Sequence, residues 1–274
     1  MCGRYAATKD PATLAAEFDA VDATDGAHPG PDHNVAPTKN VVAVVQRHPR
    51  DEEGRPDPER TERTLRVMRW GFVPPWAKDV SVGAKMINAR SESAASKPAF
   101  RASMAGRRCI VPADGWFEWR QHAAAHPGGK AAAKQPFFVT RTDGVSLAMA
   151  GIWTTWRDKA ADADAPPLVT CAVLTTDAVG PLAEIHERMP LLLPPSAWAS
   201  WLDPDSADAT ALLGTPPGEL IDALELRPVS TEVNSVRNNG PALVERYEPA
   251  TPLDDDQPGL FDHPVAGGQR VRRP

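Results

Sequence analysis

Residues 146–174 read SLAMAGIWTTWRDKAADADAPPLVTCAVL, and this stretch decides the fold class. Two short apolar runs, residues 146–153 and 168–174, flank a polar segment over residues 158–167 that is rich in Asp, Ala and Pro. Apolar runs of this length, bounded by turn-forming residues, are typical of strands. The stretch therefore predicts two strands joined by a solvated insertion.

Further strands are predicted on both sides of this stretch, at residues 41–46, 65–72, 108–111, 137–140 and 226–229. Helical segments are fewer, at residues 11–18 with Asp10 as the N-cap, 91–104 with an interruption near Pro98, 195–202 and 217–224. Strands outnumber the helices between them, which argues against regular βαβ winding. We predict an α+β fold: a mainly antiparallel, barrel-like β-domain with peripheral helices.

Polar, low-complexity segments mark the boundaries of this domain. Residues 48–63, 121–135 and 158–167 have the composition of solvated insertions. Residues 251–274 lack periodicity and are rich in Pro, Gly and Asp, which predicts disorder. We therefore expect a single domain over residues 1–250 followed by a disordered tail.

The chain has 274 residues, of which 42% are hydrophobic, and a formal net charge of −6. A protein that coats nucleic acid carries an excess of Lys and Arg, so any DNA binding here must be local. The cysteines are Cys2, Cys109 and Cys171, with no CxxC pair, which argues against a disulfide scaffold or a zinc site. We expect no metal and no cofactor.

The sequence contains no apolar run of the length that a membrane span needs, and its first ten residues, MCGRYAATKD, lack the apolar centre of a signal peptide. We expect a cytoplasmic protein without membrane partners, associated with the nucleoid if the source is bacterial. Cys109 and Cys171 lie in apolar strands and are expected to be buried and inert.

Cys2 is the residue with the most distinctive chemistry. Methionine aminopeptidases remove an initiator Met that precedes a small residue, so the mature chain should begin at Cys2. An amino-terminal cysteine is a 1,2-aminothiol, which attacks an aldehyde with its nitrogen and then closes a thiazolidine ring with its sulfur. The reference pKa values of the α-amine, about 8, and of the thiol, about 8.5, leave a usable fraction of free amine at neutral pH.

Position 2 alone does not establish such a role, because a cysteine there also fits the start of an ordinary strand. In residues 85–92, Asn88 could cap a helix and Arg90 could lie on its solvated face. In residues 107–119, Glu118 lies between two aromatic residues; it is either an outward surface residue or a carboxyl in a cleft with a raised pKa.

A further segment, residues 185–190, contains His186 and, two positions later, Arg188, ahead of a proline. A lone histidine is more often structural than catalytic. Here the neighbouring arginine and the proline-terminated loop could present both side chains to a phosphate.

Taken together, these segments resemble the SRAP family, the abasic-site processing proteins also called SOS-response-associated peptidases. The resemblance covers nearly the whole folded region and keeps the family's order and approximate spacing. The matching motifs are MCGRY at residues 1–5, NVAPT at 34–38, MRWGFVPPWA at 68–77, INARSE at 87–92, PADGWFEW at 112–119, HERMP at 186–190 and VSTEVN at 229–234.

The resemblance implies a role for four catalytic residues. Cys2 would form a thiazolidine with the ring-opened sugar of an abasic site in single-stranded DNA. Asn88 would hold the Cys2 amine and the sugar, Glu118 would assist sugar opening and imine formation by acid–base chemistry, and His186 would act near the sugar and its 3′ phosphate. Self-removal of Met1 by the same site is the implied meaning of the peptidase label.

The resemblance also implies DNA contacts. Arg4, Arg90 and Arg188 would bind phosphates, while Trp76 and Trp119 would stack on bases or wedge between them. A basic groove of this kind is compatible with an acidic chain because only one surface need be basic. One nucleophile serves one DNA site, so we expect a monomer.

Two alternatives remain open from the sequence. A class II glutamine amidotransferase also starts with Cys-Gly and uses its free amine as a base, but the glutamine-binding loops and synthetase domain of that class are missing from the sequence. A non-catalytic reader of single-stranded or modified DNA would use the Trp and Arg residues alone.

An abasic-site lyase side activity is expected whenever trapping of the imine fails.

Overall fold

The computed structural model describes residues 2–120, 134–162 and 164–247. Its α-helices are short: α1 (Pro11–Phe18), α2 (Ser91–Ala94), α3 (Arg101–Gly106), α4 (Pro195–Leu202) and α5 (Gly218–Asp222). Short 3₁₀-helices of one or two turns cover Val80–Lys85, Gly180–Glu184, Thr210–Leu212, Thr231–Asn234 and Pro241–Leu243.

The strands carry most of the regular structure. In chain order they are β1 (Tyr5–Ala7), β2 (Val21–Asp22), β3 (Asp32–Val35), β4 (Asn40–Arg47), β5 (Glu62–Trp70), β6 (Asn88–Arg90), β7 (Arg108–Ala113), β8 (Gly115–Arg120), β9 (Gln135–Arg141), β10 (Leu147–Trp156), β11 (Leu168–Asp177), β12 (Arg188–Pro190) and β13 (Leu224–Pro228).

The larger sheet has eight strands and closes on itself. Its order is β12-β11-β10-β7-β4-β5-β2, with β6 paired to β11, and a parallel contact between β5 and β11 joins the two sides. Strands β5, β4, β7, β10 and β11 therefore form a closed ring. The β2–β5 and β6–β11 pairs are also parallel, so the sheet is mixed rather than wholly antiparallel.

The smaller sheet positions the start of the chain. Its order is β13-β9-β8-β1-β3, and β1 lies between β3 and β8 with Tyr5 opposite both Val35 and Trp116. Because β1 pairs on both sides, Cys2 is held at a fixed place just before it.

Alternate residues of β4 face two different clusters of the core, as the two-residue period of a strand requires. Val42 and Val44 pack with helical residues such as Phe18 and Trp201. Val41, Ala43 and Val45 face a second cluster, to which both sheets contribute, including Cys2, Tyr5, Trp70, Trp116, Met149 and Cys171. Cys2 thus belongs to the cluster that joins the two sheets.

Gly71 sets the path of the chain after β5. Its φ is 131°, and a Cβ at this position would lie 2.7 Å from the carbonyl oxygen of Gly83. A side chain here would clash with backbone. The close approach fixes the loop that carries Trp76 against the turn that leads into β6.

The predicted α+β class is confirmed, and all seven predicted strands are present. Helix α1 begins as predicted, with the Asp10 side chain accepting a hydrogen bond from Thr13 N. Pro98 separates α2 from α3 as expected. The expectation that Asn88 caps a helix is wrong, because Asn88 lies in β6 and the N-cap of α2 is Arg90, whose side chain makes no capping bond.

The structure changes the bounds of one predicted segment and leaves others untested. Residues 62–63 belong to β5, so the first insertion ends at residue 61. Residues 121–133 and the tail at residues 251–274 lie outside the described residues, so the domain boundary near residue 250 stays a prediction. None of the helices described has the length and apolar character required to cross a membrane.

Candidate active site

Cys2 is completely buried between the two sheets. Burial raises the pKa of its thiol well above the ordinary value, the Glu118 carboxylate raises it further, and a backbone hydrogen bond from Arg4 opposes both. The thiol is therefore protonated at neutral pH and needs a nearby base before it can attack an electrophile.

Asn88 contacts Cys2 directly. Its Nδ2 donates a hydrogen bond of 2.7 Å to the Cys2 carbonyl oxygen. The position is set by the parallel pairing of β6 with β11, in which Asn88 lies opposite Val173. The Oδ1 atom of Asn88 is buried and accepts no hydrogen bond from the described residues, so the amide keeps an acceptor for a further donor.

Glu118 is buried rather than a surface residue, with only 4% of its area exposed. It lies two residues after Trp116 on β8, so both side chains point to the same face, and Trp116 belongs to the cluster that contains Cys2. Burial raises the pKa of the Glu118 carboxyl from 4.5 to about 7. A carboxyl with this pKa exchanges protons readily at neutral pH.

His186 lies between the turn at Gly180–Glu184 and β12. Its Nδ1 accepts a hydrogen bond of 2.9 Å from the backbone N–H of Arg188, which places the proton of the neutral ring on Nε2. Partial burial lowers the pKa of the imidazole. His186 is therefore a neutral donor at physiological pH.

Two of the five expected DNA-contact residues are open to solvent. Trp76 is 66% exposed in the loop after β5, which is unusual for so large an apolar side chain. Arg90 is exposed at the end of β6, two residues after Asn88. Both lie on segments that lead directly to or from the Cys2–Asn88 contact.

Arg4 and Trp119 belong to a hydrogen-bonded network. The Arg4 guanidinium lies 5.9 Å from the Trp119 ring centre and donates to Asn34 Oδ1 at 2.7 Å. The Trp119 indole donates to Asn234 Oδ1 at 2.7 Å. These contacts hold both side chains on one rigid support.

Arg188 is placed differently from the other expected phosphate ligands. Its side chain is 7% exposed and forms ion pairs with Glu92 and Asp177. It also donates to the Thr175 carbonyl at 2.6 Å. Arg188 therefore ties β12 to α2 and β11, and its charge is already neutralised.

Asn34 has a structural role that the sequence reasoning did not assign. It is completely buried, and its Nδ2 donates to the carbonyl oxygens of Ser235 at 3.0 Å and Asn238 at 2.9 Å. Together with the bond from Arg4, these contacts attach residues 233–238 to β3. Its place in the NVAPT motif is the sequence feature that could have indicated this structural role.

Two more buried polar atoms belong to the same cluster as Cys2. The Tyr5 hydroxyl and the Trp116 indole N–H have no hydrogen-bond partner among the described residues. Unpaired polar groups of this kind are rare and costly in protein interiors. Both are hydrogen-bond donors inside the cluster that contains Cys2. Within the described ranges, no cluster of three or more His, Cys, Asp or Glu side chains could hold a metal ion.

The chain resembles a family of known proteins over most of its length. The family model described as "SOS response associated peptidase (SRAP)" matches residues 1–236. The abasic site processing protein YoqW of Bacillus subtilis is 31% identical over 247 residues, covering 90% of this chain and 100% of its own. The abasic site processing protein YedK of Escherichia coli is 33% identical over 252 residues, covering 89% and 99%.

The fold is also found among solved structures. A crystal structure of a protein from Bacteroides thetaiotaomicron superposes with a TM-score of 0.69 at 23% identity, covering 90% of this chain and 100% of that one. The arrangement of the two sheets is therefore shared with a distant sequence.

Proposed function

The chain belongs to the SRAP family, and from this premise we propose that it processes abasic sites in single-stranded DNA by forming a covalent thiazolidine through Cys2. Relatives named abasic site processing proteins, aligned over about nine-tenths of the chain, support the substrate class. The observation that carries the mechanism is a buried cysteine at position 2 whose thiol lies within the electrostatic influence of a buried carboxyl with a pKa of about 7.

The reaction consumes an aldehyde and releases one water. The Cys2 amine adds to C1′ of the open sugar, and the resulting hydroxyl leaves as water to give an imine. The thiol sulfur then adds to the imine carbon while its proton passes to the nitrogen. The amine is free only when Met1 has been removed, either by an aminopeptidase or by the site itself.

Glu118 is the proton carrier of this scheme. Its protonated form supplies the proton that the departing hydroxyl needs, and its ionised form accepts a proton from the Cys2 ammonium or thiol. A pKa of about 7 populates both forms at neutral pH. Asn88 fixes the Cys2 backbone through its Nδ2 and offers its Oδ1 to the amine or to a sugar hydroxyl.

His186 contributes a neutral N–H donor from the β12 side. Its Nδ1 is occupied by the Arg188 backbone, so its Nε2–H is suited to the sugar oxygen or the 3′ phosphate. The Tyr5 hydroxyl and the Trp116 N–H provide further donors for the open sugar.

Closure of the thiazolidine ring protects the DNA strand from cleavage. An imine acidifies the adjacent carbon and promotes β-elimination of the 3′ phosphate, whereas the thiazolidine has no such electron sink. A lyase side activity follows whenever the thiol fails to close the ring.

Trp76 and Arg90 form the exposed part of the DNA surface, and Arg4 with Trp119 forms its rigid part. Arg188 would bind a phosphate only by exchanging a carboxylate partner, and Asp177, whose side chain is 88% exposed, is the one that can move away. We expect one protein molecule per DNA site.

The decisive experiment mixes the purified protein with single-stranded DNA that contains one abasic site and looks for a species that survives boiling in detergent. The mature protein should form this adduct. Cys2→Ala and a preparation shown by mass spectrometry to retain Met1 should not. An equally strong adduct with Cys2→Ala would overturn the thiazolidine and point to a lysine imine.

A further inference from the structure

A groove lined by several basic residues lies on the closed ring of strands β5, β4, β7, β10 and β11. It is separate from the residues proposed for catalysis. It has a volume of about 730 Å³ and is lined by residues that include Arg47, His48, Arg50, Arg66, Glu62 and Trp153. None of the catalytic residues proposed above lines it. The last residue of β4 is Arg47, while Arg107 comes directly before β7, and its carbonyl accepts a hydrogen bond from Trp153 N on β10.

Arg47 and Arg107, at the edge of the closed ring of strands, are held by an aromatic side chain rather than by carboxylates. The guanidinium carbons of Arg47 and Arg107 lie 5.2 Å and 5.7 Å from the centre of the Trp153 ring. Cation–π stacking orients a guanidinium without neutralising its charge. Among the described residues, neither arginine forms an ion pair with an acid.

The positive charges of this groove are concentrated. Burial lowers the pKa of Arg47, and the neighbouring charges of Arg107 and Arg50 lower it further. The side chain of Arg50 donates to the Gly54 carbonyl and likewise forms no ion pair within the described ranges. Two carboxylates lie at the groove: Glu62 is opposite Arg47 in the strand register, and Asp205 pairs with the lining residue His48 at 3.0 Å, whereas the arginines keep their charge. An anionic ligand would relieve the repulsion among the arginines.

We propose that this groove binds the phosphodiester backbone of DNA beyond the abasic nucleotide. A single phosphate ion is far smaller than the groove, whereas a strand presents successive phosphates to several arginines at once. The choice of DNA as the ligand rests on the proposed function.

The location sets how much DNA is needed to reach it. Arg107 precedes β7, whereas Glu118 lies on the strand that follows β7 in the other sheet. A six-residue strand is roughly 20 Å long. An oligonucleotide of about 5 nucleotides with the abasic analogue at its centre extends by only two nucleotides on each side, so it should fill only the Cys2 site, while one of about 30 nucleotides should reach both.

The test measures the affinity of both oligonucleotides, each with a stable abasic analogue, as a function of salt. In the double variant Arg47→Gln/Arg50→Gln, the dissociation constant for the long oligonucleotide should rise about tenfold, and the slope of log K against log salt should fall by about 1 to 2. Affinity for the short oligonucleotide and the adduct rate at saturating DNA should not change.

Arg55→Gln is the matched control. Arg55 lies in the same segment as Arg50 and is also exposed to solvent, but it already pairs with Asp51 and Glu53, so its loss should leave both affinities unchanged. Arg50→Gln alone removes an exposed side chain that does not stack on Trp153, and it covers the case in which the double variant unfolds.

Unchanged affinity and unchanged salt slope for the long oligonucleotide, in folded variants, would overturn the proposal. So would a variant that loses thermal stabilisation by inorganic phosphate but binds the long DNA normally, because the groove would then hold a small anion. Failure of the wild type to form an adduct would count against the Cys2 mechanism only, since the length-dependent affinity does not require the adduct.

Discussion

The Asn88 side-chain amide donates a hydrogen bond of 2.7 Å to the backbone carbonyl of Cys2, although the two residues are 86 positions apart. This bond anchors the residue that would become the amino terminus. The Oδ1 of the same amide is buried and has no hydrogen-bond partner within the described part of the chain.

Removing this contact should slow the chemistry without unfolding the protein. For Asn88→Ala we expect adduct formation to be about 10- to 100-fold slower, since a partly buried hydrogen bond that positions the reacting residue contributes on the order of 1–3 kcal/mol. Single-turnover adduct assays at saturating DNA measure the rate. Asn40→Ala, at an exposed position on β4, is the control. A normal rate in Asn88→Ala would remove Asn88 from the mechanism.

Glu118 should leave a signature in the pH dependence of stability. Its folded-state pKa, about 7, is above the ordinary 4.5, so its contribution to stability is fully present below pH 4.5 and is lost as the pH rises through 7. Glu118→Gln should therefore match the wild type near pH 4.5 and exceed it above pH 7, by at most about 3 kcal/mol. Thermal denaturation across this range tests the sign.

Glu118→Gln should also form the DNA adduct more slowly than the wild type. Without a proton carrier, adduct formation should fall by about 10²-fold or more. Glu52→Gln, at an exposed loop position, should alter neither property. A Glu118→Gln protein that is less stable than the wild type at high pH would contradict the raised pKa.

Asn34 should be a stability residue with an indirect effect on DNA binding. Asn34→Ala removes the hydrogen bonds to the Ser235 and Asn238 carbonyls and the acceptor of one Arg4 bond, although Arg4 keeps its bond to the Val233 carbonyl and Ser235 its bond from Asn238 N. We expect a loss of about 2–4 kcal/mol in the free energy of unfolding by urea. Asn239→Ala, at an exposed position that bonds only locally and to His33 N, should cost less. Equal costs would show that the Asn34 network is not structural.

Trp76 should contribute to affinity but not to stability. Because two thirds of the side chain is exposed, Trp76→Ala should leave the melting temperature unchanged. The affinity for single-stranded DNA should fall about 5- to 100-fold, the range expected for loss of base stacking. Fluorescence anisotropy gives the affinity, and Val236→Ala, at another exposed apolar residue, is the control. Undiminished affinity would place the DNA elsewhere.

The strands that alternation or apolar runs predict are those with enough residues to show a pattern, such as β4 and β11. Strands β1 and β6 have three residues each and are strands only because β3, β8 and β11 pair with them. That is why Asn88 was expected at a helix cap. Ring closure between β5 and β11 depends on a pairing far apart in sequence, which no local pattern reveals.

In the candidate site, too, some features could be predicted from the local sequence and others depend on residues far apart in the chain. The identity of Cys2, Asn88, Glu118 and His186 came from motifs, but their environment did not. Alternation could not distinguish a buried Glu118 from an exposed one, because β8 is covered on both faces. The spacing of Arg188 to His186 favours a phosphate contact, which stays a prediction; its ion pairs with Glu92 and Asp177 involve other segments and could not be foreseen from that spacing.

The position of β11 has a consequence for synthesis of the chain. Strands β5 and β6 precede it, and among the described residues β6 pairs with no other strand. During translation Asn88 therefore has no fixed place until β11 has left the ribosome, while Cys2 was made first. The amino terminus would therefore wait for Asn88 to be fixed until more than half of the chain has been made, and the reactive site would be complete only after β11 and His186 have been added.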